Sequence, residues 1–202
     1  MLTWAANAVS GHNGGMASHV ALLRGINVGG RNKVPMAELR EVVTSLGHTG
    51  VTTYIQSGNV LFTTPEADPV KLSADLEAAI TGTFGIKSRV VVLSRDELDQ
   101  ILDRNPYPDE PNPKLVHVVF MNGEPPADLL ERIKAAQSAA AAKGSRDTVT
   151  AIGPALYLNT PDGYGTSELA QVLLRILGQA GTAATARNWA TATTLLSLCE
   201  QK

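Results

Sequence analysis

An order of elements that can be read twice in succession limits the fold of this chain more than any other feature. Residues 19–24 (HVALLR) read as a buried strand, and Met36, Leu39, Val42, Val43 and Leu46 recur at helical spacing after Pro35 until Gly47 stops them. Residues 51–56 alternate, Ser57 and Gly58 read as a two-residue turn, and residues 59–63 continue as the partner strand. Asp68 and Pro69 open a helix carrying Leu72, Leu76 and Ile80, residues 89–93 form a fourth strand, and Ser94 caps a short helix through Leu102. Pro106, Pro108, Pro111 and Pro113 then make a stretch too rich in proline for a helix or a central strand. Beyond it the order returns: a strand at 115–121, a helix at 126–142, a strand pair at 147–152 and 155–159, a helix at 167–177, a short strand at 182–187 and a last helix at 188–198.

The predicted class is therefore α+β, built as tandem duplicated ferredoxin-like units (βαββαβ plus a helix) with mainly antiparallel sheets. An offset of 96 residues lays residues 60–66 (VLFTTPE) on residues 156–162 (LYLNTPD) and aligns the elements without gaps. The expected divisions are an N-terminal arm at 1–17, expected to be mobile, a first half at 18–104, a linker at 105–114 and a second half at 115–202. In such a sheet the first two strands run the same way, so the loop after the first and the turn after the second should meet at one edge. A two-residue turn would set Gln56 opposite Asn59 and line the core face with Thr53, Ile55, Val60 and Phe62.

Composition narrows the class. With 44% hydrophobic and 18% charged residues, the 202-residue chain can bury a core unaided. Its single cysteine, Cys199, allows no internal disulfide, fits a reducing compartment and reads as a small apolar residue of the last helix. No apolar run reaches the roughly 18 residues of a membrane span, and residues 1–16 lack the basic start of a secretory signal, so a cytoplasmic protein is expected. Met16, just before the first strand, reads as a reasonable start. The net charge of −2 argues against a broad nucleic-acid surface and leaves a local basic patch open.

The distinctive chemistry sits in two polar loops. Residues 25–30 nearly satisfy a phosphate-loop pattern, but Arg31 and Asn32 stand where lysine and a hydroxyl residue belong, which weighs against an NTPase. What survives is a glycine loop before a helix, with Arg24, Arg31 and Lys33 beside its N–H groups, suited to an anion; the plain alternative is that Gly29 and Gly30 only make a tight turn. Gln56, Ser57 and Asn59 donate and accept without titrating near neutrality, which suits recognition, or else a simple hairpin turn. Around Arg187, Asn188 serves as a helix cap and Trp189 packs on the core, leaving Arg187 without a structural reason. Histidines 12, 19, 48 and 117 lack ligand spacing, so no metal is expected. Aromatics, at 4%, do not form the pairs of an RNA-stacking sheet.

Residues 21–30 (ALLRGINVGG), 32–36 (NKVPM), 53–60 (TYIQSGNV) and 185–189 (TARNW) resemble the signature of the bacterial domain-of-unknown-function family 1697 from about residue 18 onward. The resemblance implies a small cytoplasmic bacterial protein of duplicated ferredoxin-like architecture and implies no activity. The residues matching its motif are Arg24, Gly25, Asn27, Gly29, Gly30, Lys33, Ser57, Gly58, Asn59, Arg187 and Trp189. Glu168, Ala190 and Ala192 depart from it, and they put in doubt any basic contribution from the second half beyond Arg187.

The expected function is a binding module for a small anionic or polar ligand, a nucleotide or phosphorylated metabolite. Arg24, Lys33 and Arg187 would supply charge, Asn27, Gln56, Ser57 and Asn59 hydrogen bonds, and Gly29 and Gly30 backbone N–H groups. No cofactor is expected. Two alternatives are an enzyme using Lys33 or Ser57, which would require a base in reach, and an interaction domain presenting Tyr54 and Leu61 to a partner or a second copy.

Overall fold

The computed structural model describes residues 18–200. The expected N-terminal arm lies outside them. Strand β1 (His19–Leu23), helix α1 (Met36–Ser45), hairpin β2 (Thr49–Tyr54) and β3 (Asn59–Thr63), helix α2 (Pro69–Phe84), β4 (Val90–Ser94) and α3 (Arg95–Asp103) form the first half. The second comprises β5 (Val116–Met121), α4 (Ala127–Ala142), β6 (Thr148–Ile152), β7 (Ala155–Asn159), α5 (Glu168–Gln179), β8 (Ala184–Asn188) and α6 (Trp189–Glu200). Each half holds a four-stranded antiparallel sheet, β2-β3-β1-β4 and β6-β7-β5-β8.

Side-chain caps fix the helix starts where the sequence places them. Asp68 accepts from the N–H groups of Val70 and Lys71, Ser94 and Glu97 form a reciprocal capping box, and Asn188 Oδ1 accepts from Thr191 N–H. Buried residues make three apolar clusters. One lies under α1 and α2, around Leu39, Phe62, Leu76 and Ile80, and one under α4 and α5, around Leu129, Leu158 and Leu173. The third lies between the halves: Val20, Leu22, Leu61 and Leu93 meet Val118, Phe120 and Tyr157, with α3 and α6 beside them. Cys199 is buried in this third cluster.

Two register expectations are corrected. In the first hairpin Tyr54 pairs with Asn59 and Thr53 with Val60, so the connection has four residues, 55–58, and Gln56 does not face Asn59. Ile55 leaves the core face and stands half exposed in the turn. The gapless offset also fails. His19 pairs with Phe62 and Ser94 just as His117 pairs with Leu158 and Asn188, so the offset is 98 in β1, 96 in β3 and 94 in β4. The slips arise because the segments between the paired strands differ in length, in their helices as well as in their connections. Residues 24–35 join β1 to α1 where 122–126 join β5 to α4, and the four-residue turn 55–58 stands where Gly153 and Pro154 suffice. Both longer connections lie at the same edge of the first sheet.

Candidate functional site

Strands β1 and β2 each run antiparallel to β3, so the loop leaving β1 and the turn leaving β2 emerge side by side. Asn27 joins them: its Nδ2 donates to the carbonyl of Gln56 at 2.9 Å and of Val34 at 2.9 Å, while its Oδ1 accepts from Val34 N–H at 2.8 Å. Beyond this brace the glycine loop folds into a small hairpin of its own. Asn27 N–H donates to the carbonyl of Asn32, Arg31 N–H donates to that of Val28, and Gly29 and Gly30 between them have φ of 58° and 76°. Positive φ at both central residues is the demand of a type I′ turn, which glycine meets without strain.

That geometry overturns the phosphate-loop reading. The glycines turn the chain outward instead of wrapping the start of α1, where Pro35 occupies the N-cap position and supplies no side-chain cap. Gly29, Gly30, Arg31 and Lys33 are all exposed on the projecting turn.

Arg187 also takes a different place from the one expected. It is 8% exposed and reaches from β8 into the first half's hairpin. Its Nε donates to Asn59 Oδ1 at 2.5 Å, Nη1 to Thr185 Oγ1 and the Ala186 carbonyl, and Nη2 to the carbonyls of Leu23, Ser57 and Gly58. All five N–H donors of a guanidinium are thereby engaged by the protein itself, so none is offered to a ligand. Burial pulls its pKa down to about 10. Asn59 is fully buried and completes the clasp, with Nδ2 donating to the Tyr54 carbonyl and to Ser57 Oγ, each at 3.0 Å. Gly58 is required beneath it: a Cβ there would stand 2.7 Å from Leu23 Cβ and 2.8 Å from Ile26 Cδ1.

Arg24 is half buried and crosses to the second half, where Nη2 donates to the Leu174 carbonyl at 3.3 Å. Of the predicted site residues, the structure therefore unites Asn27 with Gln56, and Ser57 with Asn59 and Arg187, as a scaffold. Lys33, Gln56, Gly29 and Gly30 are left on the surface that scaffold supports.

That surface is basic and partly apolar. Neither residues 18–37 nor residues 49–65 contain an Asp or Glu. Among the described residues no ion pair engages Arg24, Arg31 or Lys33. Val28, 65% exposed, and Ile55, 50% exposed, belong to the same two turns. Ile55 has a φ of 49°, a conformation that strains a β-branched residue and that is retained only where the surroundings dictate it. Sequence reading places Ile55 in the core, because alternation along 51–56 carries no sign that the strand ends at Tyr54.

The two alternatives meet different obstacles. Ser57 Oγ accepts from Asn59, and among the described residues no histidine or carboxylate hydrogen-bonds to Ser57 or Lys33. The sheet face carrying Leu61 is not free for a partner. Leu61 is 1% exposed, and both it and Tyr54 belong to the core between the halves. Among the described residues no group of three or more potential metal ligands occurs, and no helix is long and apolar enough to cross a membrane.

A conserved bacterial protein of Streptococcus pneumoniae has a solved structure similar to this one, with a TM-score of 0.67 and 25% sequence identity over 91% of this chain and 99% of that one. No curated protein matches the sequence. The model of the family described as "Protein of unknown function (DUF1697)" matches residues 16–157, most of the chain's length, and the chain belongs to that family.

Proposed function

We propose that the chain is a binding module, a cytoplasmic tandem duplication of ferredoxin-like units, whose projecting turn 28–33 and hairpin turn 55–57 together take a small anionic ligand such as a nucleotide or phosphorylated metabolite. One observation carries the reading: among the described residues Arg31 and Lys33 form no ion pair, and they stand over a base held rigid by Asn27 and by the Arg187–Asn59 clasp. A rigid mount lowers the ordering cost of binding. Two further features agree with it. The two connections lengthened most in the first half, relative to the second, both lie at this edge. The strain at Ile55 also falls here, where strained backbone has its usual use in recognition. In this arrangement Arg31, Lys33 and Gln56 touch the ligand, with Arg24 at the flank and Val28 and Ile55 against its apolar part. Asn27, Ser57, Asn59 and Arg187 position them.

The test is a calorimetric titration of the full chain with a panel of nucleotides and sugar phosphates, repeated on the double variant Arg31→Ala, Lys33→Ala. A panel compound should bind the parent and lose at least about tenfold in affinity in the variant, about 1.4 kcal/mol, with the melting temperature of the free protein unchanged. Absence of binding across the panel, or equal binding by the variant, defeats the reading.

A further inference from the structure

The two halves place different side chains at one structural position. Strand register equates Leu93 in β4 with Arg187 in β8, since Leu93 pairs with Val20 as Arg187 pairs with Val118. The surroundings correspond as well. Leu23 N–H donates to the Gly58 carbonyl at 2.8 Å, and Met121 N–H donates to the Pro154 carbonyl at 3.1 Å. Arg187 fills its place with a guanidinium bonded to the carbonyls of Leu23, Ser57 and Gly58. In the corresponding place the shorter Leu93 brings no donor, and a cavity of about 420 Å³ lies there, lined by Leu93, Met121 and Pro154 together with α3 and the start of α2. That volume falls within the range of small-molecule sites.

The lining has a chemical bias. Glu97 and Glu124 border the cavity, against one cation, Arg104. Glu97 Oε2 is committed to the cap of α3, but its Oε1 makes no hydrogen bond among the described residues, and neither Glu124 nor Arg104 forms an ion pair there. The remaining walls, Val70 and Ile101 among them, are apolar.

We propose that this cavity binds a small organic cation, a guanidinium, amidinium or primary amine carried on an apolar body. Its head group takes the place that the Arg187 guanidinium holds in the other half, between the carbonyls of the β6–β7 turn and the carboxylates of Glu97 and Glu124. Its body lies against Val70, Ile101 and Met121. The site is separate from the basic edge, so the two readings stand or fall apart.

Benzamidine, neutral benzamide and anionic benzoate, nearly identical in shape, test the assignment on the full chain by calorimetry with backbone amide NMR. Benzamidine should bind saturably and shift the amides of Leu93, Met121 and Asn122, with benzamide weaker by about tenfold or more and benzoate not binding. The Glu97→Gln, Glu124→Gln double variant keeps the cap of α3, because glutamine also serves in a capping box, and should lose a similar factor. No saturation at millimolar benzamidine, amide shifts confined to another surface, or undiminished binding by the double variant overturns the proposal. So does benzoate binding as tightly as benzamidine, which would make Arg104 the head-group partner.

Discussion

Arg187 carries a charge into the interior without a carboxylate to meet it, and the hydrogen-bond count explains how. Burial penalises the cation, as its pKa near 10 records, but the acceptors around it include carbonyls that the strand ladders alone do not satisfy. Replacing it with methionine removes the desolvation cost and leaves Asn59 Oδ1 and the Leu23 and Ser57 carbonyls buried without a donor. Orphaned acceptors weigh more, so Arg187→Met should destabilise by about 2–4 kcal/mol in urea unfolding, and Arg187→Lys by nearly as much because an ammonium cannot fork between both sides of the clasp. A loss below about 0.5 kcal/mol for both would show that the clasp contributes little. His117 gives the acid limit. Its ring stacks on Tyr164 with centroids 3.9 Å apart, and burial, opposed by a hydrogen bond with the Leu115 backbone, pushes its pKa down to about 4 from 6.5. The folded state then binds fewer protons than the unfolded one between these values, so stability is complete above pH 6.5 and falls as pH drops toward 4. The loss is on the order of 2 kcal/mol, and His117→Phe, which keeps the stack, should flatten the profile across that window.

The two glycine turns look alike in sequence and differ in what they demand. Gly29 has φ of 58°, and a methyl group placed on its Cα would meet nothing within 4 Å, so Gly29→Ala should cost only the left-handed penalty of about 1–2 kcal/mol. Gly58 has φ of 77° and a Cβ there would meet Leu23 and Ile26 below 3 Å, so Gly58→Ala adds overpacking and should cost about 2–5 kcal/mol. Equal melting temperatures for the two variants would contradict the close approach. The same contrast marks what a sequence can reveal. Strand and helix limits around Pro35, Asp68, Ser94 and Asn188 follow from local chemistry and are legible, as is the meeting of the two loops, which follows from strand direction. The turn at 55–58 is not: alternation continues through Ile55, and the four-residue connection is set by Gly58 packing on Leu23 and by Asn59 meeting a residue 128 positions away. Arg187 escapes sequence reading for the same reason. Its motif suggests a free cation, and nothing near it in sequence names its acceptors.

Viewed whole, the proline-rich stretch joins the halves without making them independent. Tyr107 within it bonds through its hydroxyl to Thr148 and Thr150 of β6, which ties the connection down along the second sheet. The inner faces of the two sheets also share one core, and fully buried Tyr157 donates across it to the Ile101 carbonyl at 2.6 Å. Either half alone would turn Val20, Leu22, Leu61 and Leu93, or Val118, Phe120 and Tyr157, toward water. At about 1.5–3 kcal/mol for each such side chain, exposing either face forfeits roughly 5–12 kcal/mol, comparable with the roughly 5–15 kcal/mol by which a domain is ordinarily stable. The full chain should therefore unfold in one calorimetric transition with equal calorimetric and van't Hoff enthalpies, despite its repeated element order. Leu93 and Tyr157 sit on opposite walls of the shared core, so alanine at either position should lower that single transition as a unit. Two resolved transitions, with the variants each moving a different one, would mean that the halves fold separately and that the shared core is a contact between finished domains.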